Sequence, residues 1–147
     1  MIKIIAVGKL HQKGIIDQTQ YYLKQMPIHV EIVEVQDEPN ATGMQQEGLR
    51  ILNKIKDNDF VIALAISGKT MNSEAFAKWI DERMTYSAAD LVFIIGGSYG
   101  LSKEVMDRAN FELSFSNMTF PHQLIRLMLI EQIYRSQMIL KHHPYHK

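Results

Sequence analysis

Short runs of apolar residues alternate along the chain with segments whose apolar residues recur at helical spacing. The runs predict five strands, at Ile2–Val7, Val30–Val35, Phe60–Ile66, Leu91–Ile95 and Phe111–Phe115. Several of them are apolar throughout, which is typical of parallel strands that are covered on both faces.

Helices are predicted between these strands and after the last one, at Ile15–Gln25, Glu47–Ile55, Glu74–Met84, Leu101–Ala109 and from Pro121 onward. A plausible N-cap, Ser73, precedes the third helix. The alternation predicts an α/β fold with a mostly parallel sheet and helices on both faces. With no internal repeat or linker, residues 1–147 form one predicted domain.

Polar loops follow three of the predicted strands, at Ser67–Asn72, Gly96–Ser102 and Ser116–Phe120. In open α/β sheets, ligands bind outside the carboxyl ends of the strands, so we expect these loops to build one site. Its groups would be backbone amides and small hydroxyls rather than a charged cluster. The adjacent Gly96 and Gly97 permit close approach of a ligand, although a simple tight turn before the next helix would also explain them.

The last helix has almost no polar face between Leu124 and Tyr134. Such a helix is expected to be covered on all sides, and in a domain this small that favours partial burial against another subunit. Arg126 lies among these apolar residues, so it is either an ion-pair partner at an interface or a site residue. Its place one turn after the Ser116–His122 loop favours the site. Glu131 and Arg135 are spaced to pair along the helix.

Composition excludes several kinds of chemistry. The chain has no cysteine, which rules out disulfides, a thiolate nucleophile and a cysteine-based metal site. Its six histidines are not spaced as metal ligands, so no metal is expected. The formal net charge of zero argues against binding of nucleic acid by overall charge, but it allows a local basic patch. No apolar run is long enough to span a membrane.

A set of short motifs, in this order, resembles the RlmH-type methyltransferases of large-subunit ribosomal RNA. The motifs are Ile94–Gly100, Leu113–Ser116, Met118–His122, Arg126, Glu131–Arg135 and Pro144–Lys147. The resemblance extends to Ile4–Lys9, to Leu64 and to Gly68-Lys69, and so covers essentially the whole chain. Each motif is weak alone, but their order and spacing together are specific.

The resemblance implies a SPOUT-class α/β fold with a C-terminal trefoil knot, a homodimer and a cytoplasmic enzyme. It implies transfer of a methyl group from S-adenosylmethionine to N3 of a pseudouridine in a stem-loop of 23S rRNA, on the ribosome. The implied cofactor-binding residues are Leu64, Gly96, Phe115, Ser116, Asn117, Met118, Thr119 and Phe120. The implied catalytic residues, on the substrate side, are His122, Arg126, Tyr145 and His146, with Lys147 beside them.

Roles for these residues follow from the implied reaction. Methyl transfer from a sulfonium needs no metal and no covalent intermediate, and orientation supplies much of the rate. The N3 proton must leave, so His146 or His122 is expected to accept it, and Arg126 or Lys147 to stabilise the anion. Candidate phosphate contacts are Lys9, Lys13, Lys69, Lys141 and Lys147.

Two features depart from the family pattern. Ala65 stands where many members carry an acidic residue, and the stretch from Glu38 to Glu47 is shorter than in many members. Three other functions remain open. These are a SPOUT methyltransferase acting on another RNA such as a tRNA loop, a non-catalytic ribosome-binding factor, and a flavodoxin-like nucleotide binder. The last predicts phosphate-binding hydroxyls after the first strand, where Gly8-Lys9-Leu10 offers none.

Overall fold

Five parallel strands form one sheet at the centre of the computed structural model, which describes residues 1–147. They are β1 (Ile2–Val7), β2 (Val30–Val35), β3 (Phe60–Lys69), β4 (Leu91–Ile95) and β5 (Phe111–Leu113). Their order across the sheet is β2-β1-β4-β3-β5, and every neighbouring pair is parallel. The predicted α/β fold with a parallel sheet is confirmed. The bounds of β3 and β5 differ from those predicted, because β3 continues to Lys69 and β5 ends at Leu113.

Five α-helices cover both faces of this sheet. They are α1 (Lys13–Gln25), α2 (Met44–Leu52), α3 (Ser73–Tyr86), α4 (Lys103–Arg108) and α5 (His122–Leu140). A short 3₁₀ turn, Ala41–Gly43, leads into α2. Helices α1, α3 and α5 pack on one face and α2 and α4 on the other. None of the helices combines the length and the apolar composition needed to cross a membrane.

The alternation of side chains along the central strands divides the core in two. In β4, Phe93 packs towards α3 and α5, whereas Val92 and Ile94 pack towards α2 and α4. All three are fully buried. Burial on both faces explains why the strand is apolar at every position, as the sequence indicated.

The start of α3 differs from the prediction. Asn72, not Ser73, is the N-cap, and its side-chain oxygen accepts a hydrogen bond from the Ala75 N–H at 2.8 Å. Ser73 is the first helical residue, and its hydroxyl donates to Gln132 Oε1 of α5 at 2.8 Å. Asparagine and serine are comparable N-caps, so sequence alone could not separate the two positions.

Helix α5 begins at His122, with Pro121 at the N-cap position. Its buried stripe includes Leu129, Ile130 and Ile133, each at most 1% exposed. On another side Leu124 remains 36% exposed. The chain by itself therefore does not cover the helix on all sides, and burial of the remainder against another subunit stays a prediction.

Candidate functional site

A cleft of about 1010 Å³ lies at the carboxyl ends of β3, β4 and β5. Its walls come mainly from Leu64–Ser67, Ile95–Ser98, Gly100–Leu101, Leu113–Ser116 and Met118–His122. Two of the three strand-end loops that the sequence predicted to meet, Gly96–Ser102 and Ser116–Phe120, contribute to these walls. The prediction is wrong for most of Ser67–Asn72, of which only Ser67 lines the cleft, whereas Met71 and Asn72 line a separate groove. Parallel strands place their carboxyl ends at one edge, and this topology brings the loops together.

The loop after β4 is folded tightly on itself. Gly100 has a left-handed φ of +84°, and its N–H donates to the Gly97 carbonyl at 3.1 Å. A Cβ on Gly96 would lie 2.9 Å from the carbonyl carbon and oxygen of Gly100. There is therefore no room for a side chain where the backbone of Gly96 approaches that of Gly100. The tight turn that the sequence offered as one explanation of these glycines is present, and the same turn forms a wall of the cleft.

The segment between β5 and α5 forms the opposite wall. The Ser114 N–H donates to the Lys69 carbonyl at 2.9 Å, which fastens the segment to the extended end of β3. The Ser116 hydroxyl accepts from the Met118 N–H at 3.0 Å and closes a local turn. Met118 is 71% exposed, an unusual state for a long apolar side chain that lines a cleft.

Seven of the eight predicted cofactor-binding residues line this cleft. They are Leu64, Gly96, Phe115, Ser116, Met118, Thr119 and Phe120. Asn117 is exposed and does not line the cleft, although both of its neighbours do. Ala65, a residue of β3, also lines the cleft.

His122 is the only lining residue with a titratable side chain. No carboxylate, lysine or arginine faces the cleft, so its polar groups are backbone amides, carbonyls and serine and threonine hydroxyls. No cluster of three histidine, aspartate or glutamate side chains suited to a metal occurs in the chain. The cleft is thus suited to a ligand that is uncharged, or whose positive and negative charges balance, and that is held by backbone groups.

Sequence reasoning missed several residues of the cleft. Met106 lines it, as does Ile125, which follows His122 by three positions on α5. Helical spacing carries a signal for Ile125, since positions three apart share a face.

Arg126 lies outside the cleft. Its side chain is 5% exposed, and its Nη2 pairs with Glu34 Oε2 at 2.7 Å while Nη1 donates to the Gly8 carbonyl at 3.2 Å. Partial burial opposes ionisation of Glu34, but the hydrogen bonds from Arg126 and the Leu10 N–H, with the charges of Arg126 and Lys9, lower its pKa. The ion pair is internal to the chain, a third arrangement beside the two that the sequence suggested.

Tyr145 and His146 also lie away from His122, among α1, α3 and α5. The Tyr145 hydroxyl donates to Glu131 Oε1 at 2.9 Å and lies 3.2 Å from the Tyr22 hydroxyl. Burial, together with these two partners, raises the pKa of Tyr145. His146 Nε2 lies 2.8 Å from Glu74 Oε1, and this hydrogen bond lowers the pKa of Glu74. The chain end is therefore fixed on the helical face by side-chain hydrogen bonds.

Arg135 joins the two halves of this network. It pairs with Glu131 at 2.6 Å, as the spacing predicted, and its Nη1 lies 3.1 Å from His146 Nδ1. The hydrogen bond with Glu131 raises the pKa of Arg135, and its guanidinium stays charged.

A groove of about 600 Å³ adjoins this network on the helical face. Leu124, Leu127 and Met128 form part of its apolar lining. Three consecutive residues, Leu113–Phe115, line both the groove and the cleft. A single stretch of chain therefore separates the two cavities.

Comparison with known proteins agrees with this geometry. Residues 1–146 match the family described as "Predicted SPOUT methyltransferase". The "Ribosomal RNA large subunit methyltransferase H" of Acholeplasma laidlawii (strain PG-8A) is 51% identical over 146 residues, 99% of each chain. The protein of the same name from Lacticaseibacillus casei (strain BL23) is 52% identical over 157 aligned positions, again 99% of each chain. That alignment is longer than the 147 residues of this chain, so this chain is the shorter of the two.

The match runs from the first strand to the C-terminal residues. The sequence identity of 51–52% is far above the level found between proteins of unrelated fold. The family resemblance carried by the loop Gly96–Gly100 (the glycine loop), the Met118–His122 segment and the C-terminal tail Pro144–Lys147 is confirmed. This chain belongs to the SPOUT methyltransferase family, in the group of ribosomal RNA large subunit methyltransferase H proteins.

Proposed function

We propose that the protein transfers a methyl group from S-adenosylmethionine to N3 of a pseudouridine in 23S rRNA, on the ribosome and hence in the cytoplasm. The observation that carries the proposal is the cleft. The polar groups of its lining are backbone amides, carbonyls and small hydroxyls beside apolar side chains, it lies at the carboxyl edge of a parallel sheet, and His122 is its only titratable side chain. The names of the relatives supply the class of substrate.

The cleft fits the proposed cofactor in size and chemistry. Its volume of about 1010 Å³ is at the upper end for a pocket that holds a small molecule. The close approach of Gly96 to Gly100 leaves a wall without side chains, so backbone groups can contact an adenine or an amino-acid moiety. Thr119 and Phe120 of the opposite wall supply a hydroxyl and an aromatic surface. When bound, the cofactor supplies an electrophilic methyl group.

The remaining chemistry falls to the chain and the substrate. Orientation of the uracil-type ring in line with the methyl group supplies much of the acceleration. The N3 proton leaves as the new N–C bond forms. Of the two candidate acceptors, His122 and His146, we assign the proton to His122, because it lies in the first turn of α5 and lines the cleft.

Tyr145 and His146 enter this proposal through a second subunit. Leu124, Leu127 and Met128 leave an apolar stripe of α5 open on the groove, and a second copy of the chain is its proposed occupant. We place the partner's C-terminal tail beside the cleft, where its tyrosine and histidine would meet the substrate. Lys147 would follow them to the RNA. Arg126 then contributes by holding structure around the site, through Glu34 and Gly8.

The trefoil knot is part of the same proposal. The chain passes from α4 on one face of the sheet, through β5, to α5 on the other face. Between β5 and α5 it lines the same cleft as the last part of β3 and the loop after β4, which is where a threaded segment would lie. Pulling the chain by its two ends in a single-molecule experiment tests this. A knotted chain extends less than the contour length of 147 residues, and an unknotted one reaches it.

Methylation of ribosomes that lack the modification, with tritiated S-adenosylmethionine, tests the reaction. We expect label at one pseudouridine of the large-subunit RNA. Equal labelling of RNA whose target uridine was never isomerised would overturn the pseudouridine assignment, and label in tRNA alone would point to another RNA substrate. Absence of cofactor binding by calorimetry at about millimolar ligand would favour a non-catalytic ribosome-binding factor.

His122→Ala tests the proton acceptor. Loss of a general base typically costs about 10²–10⁴-fold in rate, so single-turnover methylation should slow by that factor with cofactor affinity little changed. His29→Ala is the matched control, because His29 is exposed and precedes β2 at the opposite edge of the sheet. Near-normal single-turnover rates in the His122 variant would exclude the role.

A further inference from the structure

The segment Gly8–His11, which we call the β1–α1 loop, is held along its whole backbone by side chains. Gly8 accepts from Arg126 at 3.2 Å, and Lys9 accepts from Gln123 Nε2 at 2.9 Å through their carbonyls. The Leu10 N–H donates to Glu34 Oε2 at 2.8 Å, and the His11 N–H to Gln123 Oε1 at 3.2 Å. Four consecutive residues without regular secondary structure are thus fixed one by one.

The residues that hold the loop are themselves rigid. Gln123 and Arg126 are each 4% exposed and lie in the first turns of α5. Arg126 is anchored by its ion pair with Glu34 of β2. The hydrogen bonds of these buried polar side chains are satisfied only when the loop adopts one particular conformation, so the side chains stabilise that conformation.

The side chains of the loop, in contrast, are free. Lys9 and His11 are exposed, and neither makes a side-chain hydrogen bond or an ion pair within the chain. The carboxylate nearest to the middle of the loop, Glu34, is already paired with Arg126. Asp37 lies beside Gly8, and Lys13 is paired with Asp17 at 3.1 Å. Lys9 is therefore the positive group of the loop that makes no hydrogen bond or ion pair, although its charge acts on the nearby Glu34 carboxylate.

The loop does not line the cleft, but the residues that it contacts lie next to residues that do. It follows β1, whose neighbour β4 leads into the glycine loop, and a Cβ on Gly97 would lie 3.1 Å from Val7 Cγ1. On its other side it is bonded to Gln123, the residue next to His122. The same first turn of α5 thus carries His122 into the cleft and holds the loop beside it.

From this geometry we propose that the β1–α1 loop is a preset phosphate-contact site for the substrate RNA. Lys9 contacts a phosphate of the RNA backbone next to the target nucleotide, and the imidazole of His11 donates a hydrogen bond to the same backbone. Gln123 and Arg126 are positioning residues that keep these two side chains at a fixed distance from the reacting base. This inference rests on the proposed function, since it names the contact that the same site makes with its RNA.

Fixing the loop in advance has a physical reason. The chain has no net charge, so it cannot gather RNA contacts by a general attractive field. One lysine on a mobile loop would lose part of its interaction free energy to ordering the loop on binding, and a preset loop avoids that loss.

Binding of Lys9→Gln and His11→Gln to unmodified large subunits over a range of salt tests the proposal. The control is Lys56→Gln, because Lys56 is exposed and lies just before β3, at the opposite edge of the sheet. Loss of one phosphate contact should reduce the slope of log K against log salt by about 0.7–0.9. Equivalently, when salt is raised from about 50 to about 200 mM, the affinity of the parent should fall by a factor about three times larger than that of the variant. KM for ribosomes should rise, with kcat at saturating ribosomes and cofactor affinity unchanged.

Gln123→Met tests the positioning role, since it keeps the size and charge of the side chain but removes both hydrogen bonds to the loop. In that background Lys9→Gln should cost clearly less affinity than in the parent, because the lysine is no longer held in place. Fully additive losses would show that Gln123 does not position Lys9.

The outcomes separate the two proposals. If the unaltered protein methylates no RNA, the proposed function fails, and the phosphate site fails with it. If the unaltered protein is active while Lys9→Gln and His11→Gln match Lys56→Gln in affinity and salt slope, only the phosphate site is overturned. That second result does not depend on the folding of the Gln123 variant.

Discussion

Substitution of Gly96 by alanine should damage the proposed cofactor site through a backbone clash that can be sized from the structure. The added Cβ would lie 2.9 Å from the carbonyl carbon and oxygen of Gly100 and 3.2 Å from Leu101 Cδ2. Ordinary van der Waals contact begins near 3.4 Å, so the Gly100 backbone must move by about half an ångström. Gly100 cannot yield freely, because its N–H is bonded to Gly97 and its φ is +84°.

Overpacking of this kind typically costs about 1–3 kcal/mol. For a chain of 147 residues the melting temperature should fall by about 2–4 °C for each kcal/mol. Displacement of the glycine loop also removes backbone groups from their positions in the cleft. A loss of about 1.4 kcal/mol there would weaken S-adenosylmethionine binding about tenfold.

Calorimetry with S-adenosylmethionine and a thermal melt of the same samples measure the two effects. Gly14→Ala is the matched control, since Gly14 lies in α1 with no atom within 4 Å of its would-be Cβ. That variant should be about 0.5–1 kcal/mol more stable than the parent and bind the cofactor normally. Unchanged cofactor affinity and melting temperature in Gly96→Ala would refute the reasoning about the close approach.

Three further predictions concern folding. Asn72→Ala should lower the free energy of unfolding by about 0.5–2 kcal/mol, measured by urea titration, because the N-cap bond to Ala75 is lost; an unchanged midpoint would exclude that cap. Leu129→Ala should cost about 2–5 kcal/mol by the same measurement, since the side chain is fully buried, and a smaller loss would mean that the core refills the space. Glu34 has a pKa below its ordinary value of 4.5, so its stabilising effect is present above that pH and is lost as pH falls through the lowered pKa. Unfolding of Glu34→Gln between about pH 6 and pH 3 should show a weaker loss of stability than the parent, and identical pH curves would contradict this.

Strand positions were predictable where burial alone decides them. The predicted bounds of β1 and β4 agree with the structure, because their apolar runs are buried between two layers of helices. The bounds of the edge strand β2 also agree, and there the alternation of apolar residues with exposed glutamates carried the signal. The end of β3 was not predictable in this way. Ser67-Gly68-Lys69 is polar, yet the strand continues through it after a break in register, and the backbone of Glu112 comes within 2.6 Å of a Cβ placed on Gly68.

Helix α5 shows where an apolar pattern stops being informative. The pattern indicated burial but not which face is buried by the chain itself. Gln123 and Arg126 point into the protein, while Leu124 on the next position stays partly exposed. The inward residues satisfy backbone groups of the β1–α1 loop, which no local periodicity encodes.

The candidate cleft was largely predictable and the position of the tail was not. Loops at the carboxyl ends of parallel strands must share an edge, so the glycine loop and the Ser116–Phe120 segment could be paired from sequence. The place of Tyr145 depends on side chains far away in sequence, namely Tyr22 and Glu131. Such long-range hydrogen bonds leave no periodic trace in the chain.

The shared segment Leu113–Phe115 links the cleft to the proposed subunit surface. It lines the cleft on one side and the apolar groove on the other. A second subunit that fills the groove would press on the same backbone that holds the cofactor wall. Dimer formation and cofactor binding should then be coupled, and coupling is reciprocal: cofactor should tighten the dimer by the factor by which the dimer tightens cofactor binding. Sedimentation of dilute protein with and without S-adenosylmethionine measures this, and an identical dimer dissociation constant in the two samples would show that the segment transmits nothing.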